Sequence, residues 1–83
     1  MTLYPKLILD ALRTVRYPGT GKNLVDAGMV EDNIRIDGQT VSFTILFAKN
    51  PDPFMKTVMK AAEASIKAAT DENVEVIITP ALP

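Results

Sequence analysis

The chain contains neither cysteine nor histidine. Without them a Ser/His triad, a cysteine protease, a zinc ribbon and a cysteine-ligated cluster are all excluded. The missing cysteine also removes any disulfide staple, so packing has to supply nearly all of the stability. Charge of one sign is lacking too, since nine basic and ten acidic residues leave a formal charge of −1. No basic stripe with interleaved aromatics appears, which argues against nucleic acid as a partner. No apolar run approaches the roughly 20 residues that span a bilayer. The start, Met1-Thr2-Leu3-Tyr4-Pro5-Lys6, lacks the basic opening and apolar stretch of a signal peptide. A soluble, cytoplasmic protein that binds neither nucleic acid nor membrane is the expectation.

What remains is enough for one modest core: 83 residues, 47% of them apolar, too short for two independent domains. Tyr4, Leu7, Ile8, Ala11, Leu12 and Val15 recur at steps of three and four and predict a helix, with Pro5 suited to its first turn. Tyr17-Pro18-Gly19 should stop that helix near Arg16. Residues 17–28 read as a loop with a short extended piece from Asn23 to Val25. Ile34 and Ile36 alternate with polar neighbours as a half-buried strand. Asp37-Gly38 signals a hairpin of type I′. The return strand puts Val41, Phe43, Ile45 and Phe47 on one face and Ser42, Thr44, Leu46 and Ala48 on the other.

Asn50-Pro51-Asp52-Pro53 breaks the sheet, with Asp52 placed to cap a second helix and Pro53 to begin it. Phe54, Val58, Ala62, Ile66 and Ala69 form its buried line, with Met55 and Met59 as core filler beside them. Lys56, Lys60, Glu63 and Lys67 form its solvated line, Glu63 and Lys67 at the spacing of a favourable pair. Val74, Val76 and Ile78 alternate as a third strand that Pro80 should end. The expected fold is α+β: a two-layer α-β-β-α-β arrangement, a three-stranded mixed sheet with two helices packed on one face. Residues 1–79 form the domain, and 80–83 (Pro80-Ala81-Leu82-Pro83) read as a linker or tail of a chain cut from something longer.

Two chemical motifs fail on inspection. Gly19-Thr20-Gly21-Lys22 suggests a phosphate loop, but position 16 is Arg16 where the motif needs glycine, and position 23 is Asn23 where it needs Ser or Thr. Asp26, Glu31 and Asp32 are oxygen donors whose spacing matches no calcium loop. No catalytic, cofactor-binding or metal residue is therefore assigned, and the chain is not expected to be an enzyme.

The order of elements and three segments carry a resemblance. Ile8-Leu9-Asp10-Ala11-Leu12-Arg13-Thr14-Val15, then Tyr17-Pro18-Gly19, then Asn23-Leu24-Val25-Asp26-Ala27-Gly28-Met29-Val30 resemble the iron–sulfur cluster assembly domain. That family includes PaaD-like proteins and the N-terminal domain of Mrp-type, P-loop iron–sulfur carrier ATPases, to which this chain looks most similar. Its members read roughly "ALxxVxDPE…NIVDLGLV", then a hairpin, then "T-x-x-G-C-P" entering a helix. Asn23, Val25, Asp26 and Gly28 are the matching motif positions here. The departures are as informative as the match. Tyr17-Pro18-Gly19 stands for "DPE", so both carboxylates are gone; Asp52 aligns with the reactive cysteine and Ala48 with the threonine. A cysteine at a helix start is pushed toward thiolate and is a soft ligand for iron, whereas Asp52 presents a hard oxygen.

The resemblance implies an accessory or adaptor domain of cluster assembly or transfer, N-terminal to an Mrp-type ATPase. It would dock an iron–sulfur assembly protein or a downstream P-loop ATPase domain and bind no cofactor by itself. Rival readings are a small-ligand or metal-binding domain, formed by the loop Asn50, Pro51, Asp52 and Pro53 with the Asn23–Val30 segment, and a stand-alone oligomerisation module. Alternation sends Leu46 and Ile77 to the uncovered sheet face, where side by side they would seed a partner surface or a homo-oligomer contact.

Overall fold

A computed structural model describes residues 2–30, 33–47, 49 and 51–83. Its elements are α1 (Pro5–Leu12), β1 (Arg35–Asp37), β2 (Thr40–Leu46), α2 (Met55–Ala69) and β3 (Glu75–Ala81). They form the expected two-layer α+β fold, with β1-β2-β3 as the sheet order. The hairpin β1–β2 is antiparallel, and α2 carries the chain over to β3, which lies parallel to β2. Ile8, Ala11 and Leu12 of α1 and Val58, Ala62 and Ile66 of α2 are buried with Val41, Phe43 and Ile45 of β2. These residues are the repeats that the two periodicities single out, three to four apart in the helices and two apart in the strand.

Local chemistry moves several boundaries. α1 ends at Leu12, short of the expected Arg16. The amides of Thr14 and Val15 bond three residues back, to Ala11 and Leu12, and the Thr14 hydroxyl also donates to the Ala11 carbonyl. That tightened turn releases the chain, and Val15 stays buried outside the helix. Tyr4, expected to lead the apolar stripe, is half exposed, and Ala69 at the far end of α2 is exposed. In the hairpin Gly38 has φ +60°, and among the described residues none other than glycine has positive φ. The central pair is thus Gly38-Gln39 with the left-handed residue first, the pattern of a type II′ turn in place of type I′. The expected Glu63–Lys67 pair is present at 3.4 Å.

β3 does not stop before Pro80. It runs to Ala81, with Pro80 opposite Ile45 and Ala81 opposite Leu46. Its register explains why proline is tolerated. The Glu75 amide donates to the Gln39 carbonyl, and the Ala81 carbonyl accepts from the Phe47 amide. The odd-numbered residues of β3 therefore turn their backbone groups toward β2 and the even-numbered ones turn theirs outward. Pro80 lacks its N–H on the side where no strand needs it.

Candidate functional site

The segment Asn23–Val30 is a capped turn. The Asn23 side chain accepts from the Asp26 amide (2.9 Å) and donates to the Asp26 carboxylate (2.8 Å). At the other end the Gly28 amide donates to Val25 (3.1 Å) and the Met29 amide to Leu24 (3.0 Å), with Gly28 at φ +70°. That pair of bonds around a left-handed glycine is a Schellman motif, and it accounts for Asn23, Asp26 and Gly28 as a set. Asn23 is bridged to Arg16, so the expected extended piece shrinks to that residue, and Leu24 is fully buried beneath the turn. The turn delivers Met29 and Val30 to the end of β2. The Leu46 amide donates to the Met29 carbonyl (2.6 Å), and Val30 bridges Ile45.

The second candidate segment is the loop before α2. Asp52 is only 5% exposed, the sole buried charged residue among those described. One carboxylate oxygen accepts from the Phe54 amide (2.8 Å) and the other from the Tyr17 hydroxyl (2.6 Å). Its carbonyl also accepts from the Met55 amide (3.2 Å). Asp52 therefore caps a lead-in turn, and the helix begins two residues later than expected, with Phe54 as its N-cap. Pro51 and Pro53 are exposed beside it. Asn50 lies outside the described residues, as do Ala48, Glu31 and Asp32.

Tyr17 is held on three sides. Its ring stands edge-on to Phe54 (centroids 5.7 Å apart, 89° between planes) and its hydroxyl is fixed by Asp52. The ring also lies across Gly19, where an added Cβ would come within 2.5 Å of it. Hydrogen bonding to Asp52, then desolvation, then the negative charge of Asp52 raise the Tyr17 pKa above its ordinary 10.0. Tyr17 and Asp52 are 35 positions apart in the sequence, and only the fold joins them.

Next to the pair is a cleft of about 290 Å³ between Tyr17, Thr20, Gly28, Met29, Leu46 and Phe47. Leu46 is thus partly covered by the Asn23–Val30 turn. Ile77, 47% exposed, is elsewhere: it stands opposite Ser42 while Leu46 stands opposite Ala81. Roughly 13 Å of strand separates the two, at ~3.3 Å per residue, so the side-by-side patch does not form. Among the described residues no three acidic side chains converge as a metal site, and no helix is long and apolar enough to cross a membrane.

Residues 6–78 match the family model described as iron–sulfur cluster assembly protein. An iron–sulfur cluster carrier protein of Synechocystis sp. is 34% identical over 77 residues, which are 92% of this chain and 22% of that protein. The chain thus spans about a fifth of the relative's length. The fold matches the crystal structure of a DUF59 domain from Bacillus anthracis, with a TM-score of 0.81 and 18% identity over 92% of this chain and 71% of that one. A solution structure from Mycobacterium tuberculosis, of a protein associated with Fe–S complex assembly and repair, gives a TM-score of 0.58 at 15% identity. That match covers 96% of this chain and 73% of the other.

Proposed function

The chain belongs to the iron–sulfur cluster assembly protein family, and from that premise we propose that it is an accessory domain that docks a cluster-carrying partner without ligating the cluster itself. The observation that carries the reading is the Tyr17–Asp52 pair. A cluster is held by soft thiolates, and this chain has no cysteine to supply one. The position that aligns with the family cysteine is instead a hard carboxylate, buried, with each oxygen already accepting a hydrogen bond. The residues present do not fit a ligated cluster, and no step through one is assigned to them. The domain binds, and the chemistry belongs to its partner.

The partner that the resemblance favours is a P-loop ATPase of the Mrp type, supplied in the same polypeptide or as a separate protein, and the location is cytoplasmic. The cleft beside Tyr17 offers a contact point, with Met29, Leu46 and Phe47 as apolar walls. Its volume sits at the small end of small-molecule pockets, which favours an inserted side chain over a free ligand. Mixing the domain with a cluster-loaded Mrp-type carrier and separating the species by size tests the reading. A complex is expected, with all iron remaining on the carrier when the two are parted. Leu46→Ser should weaken it by roughly fivefold or more, the loss when an apolar contact above 1 kcal/mol goes. Iron that travels with the isolated domain would overturn the proposal.

A further inference from the structure

We propose that β3 is the contact surface of a homodimer: it pairs antiparallel with β3 of a second copy of this chain, about a two-fold axis that passes between the two Ile77 residues. The surface lies away from the Tyr17–Asp52 corner and does not rest on the cluster-assembly reading.

The backbone supplies the first argument. β3 is an edge strand whose register turns the N–H and C=O of Val76 and Ile78 away from β2, and among the described residues nothing bonds to them. An exposed edge is a template for another strand unless proline, charge or a covering element blunts it. Here the blunted positions lie on either side of this pair. The Val74 amide is taken by the Asp71 carbonyl (3.0 Å), and Pro80 has no amide to give. The outward donors that remain, Val76 and Ile78, are symmetric about Ile77. Setting Val76 against Ile78 of the second copy lets each such pair exchange both of its hydrogen bonds. The same pairing holds from the second copy back, as a closed two-fold contact requires. A shift of two residues in either direction sets Val74 or Pro80 against one of them and leaves a carbonyl of the pair unbonded.

The side chains supply the second. Ile77 turns to the sheet face without helices and is 47% exposed. In this register it meets its own copy as a non-hydrogen-bonded pair, about 4.5 Å between Cα atoms, where cross-strand side chains are closest. Exposed Glu75 and Thr79 flank it on the same face, each opposite the other residue of the second copy, so carboxylate meets hydroxyl. On the helix side half-buried Val76 and Ile78 lie against Ile78 and Val76 of the second copy.

Charge selects a second copy as the occupant. Beside β3 runs a groove of about 470 Å³ whose far wall is Lys56, Met59, Lys60 and Glu63 of α2, level with Val76 and Ile78. That stripe has a cation at its start and an anion at its end. The two-fold axis reverses the helix, so Lys56 of one copy comes opposite Glu63 of the other, with Met59 near the axis. Lys56 forms no ion pair among the described residues, and Glu63 has Lys67 at 3.4 Å. Lys60 meets its own likeness, and its long stem lets the ammonium turn to solvent. A stripe complementary to itself reversed suits a copy of this chain better than a partner of one charge sign.

A contact this short belongs with the small, transient interfaces, so sedimentation of the full chain should show dimer at roughly 0.1–1 mM protein. In a mixture of isotope-labelled and unlabelled chain, NMR should show Ile77 of one copy touching Ile77 of the other. The Val76 and Ile78 amides should exchange more slowly as concentration rises. Ile77→Lys, at an exposed position, should keep the fold and weaken association at least about tenfold. Lys56→Glu and Glu63→Lys should each weaken self-association by setting like charges opposite. Mixed with each other, the two variants should associate at least about threefold more tightly than either alone, an advantage that salt removes. Should Ile77→Lys unfold, the mixing experiment decides. A chain still monomeric at about 2 mM would overturn the proposal, as would association that a folded Ile77→Lys leaves unchanged. So would protection of Val76 and Ile78 that does not depend on concentration, or no preference of the two charge variants for each other.

Discussion

Two regions of this small domain treat their polar groups in opposite ways. At the Tyr17–Asp52 corner polar groups close on one another: carboxylate on hydroxyl and amide, Asn23 on Asp26, the carbonyls of Leu24 and Val25 on the amides of Met29 and Gly28. At the β3 edge the backbone groups of Val76 and Ile78 and the ammonium groups of Lys56 and Lys60 stand open. The first region holds residues that the resemblance to the family singles out, and here hydrogen bonds seal it. The second leaves the outward backbone groups of β3 unpaired among the described residues. The lesson is that a family position is read by what its atoms are already doing. A buried carboxylate with both oxygens engaged is a structural element first.

The largest effect on the closed region should come from Asp52→Ala. It removes the acceptor for the Phe54 amide and leaves the Tyr17 hydroxyl without its partner. Together these should cost about 2–3 kcal/mol in chemical denaturation, a cap's ~1 plus a buried bond's ~1–2. Asp52→Asn should cost less, since it keeps one acceptor oxygen. Next comes Gly28→Ala, which forces a Cβ into φ +70°; about 1–2 kcal/mol is expected, with loss of the Met29–Leu46 contact visible by NMR. Tyr17→Phe should lower the denaturation midpoint by less than Asp52→Ala does, because it strands one carboxylate oxygen but leaves the cap intact.

That third variant also carries a pH signature. The folded state raises the Tyr17 pKa above 10.0, so its contribution is fully present below pH 10 and is lost as pH rises through the raised value. Wild type should lose stability there by a component that Tyr17→Phe lacks. The smallest effect belongs to the open region. Lys56→Glu with Lys60→Glu should change the stability of the monomer by no more than about 0.5 kcal/mol, as expected for exposed positions away from caps and cores. A large loss would mean that the two lysines already serve the fold, and the contrast between the regions would fail.

Periodicity carried most of the fold. The alternation of Val41, Phe43 and Ile45 and the helical spacing of Val58, Ala62 and Ile66 point straight at the buried faces, because each depends on a repeat within one element. What needed the structure depends on register between elements. Pro80 reads as a strand breaker until the strand is known to turn that residue outward. Leu46 and Ile77 read as neighbours until β2 and β3 are aligned. The hairpin was legible in Asp37-Gly38, but its type follows from which residues occupy the two central positions. In the site the motif Asn23, Asp26 and Gly28 was legible as a unit without its reason, the Schellman turn. The Tyr17–Asp52 bond was not legible, since no short-range spacing links residues brought together by the whole core.

The most direct test of cluster-free action is anaerobic reconstitution of the isolated domain with ferrous iron and sulfide, followed by visible absorption and iron analysis after desalting. With no cysteine in the chain and both Asp52 carboxylate oxygens already engaged, no stable visible band and only substoichiometric iron are expected. A persistent brown species with at least one iron per monomer would contradict the proposal that this chain works by docking alone.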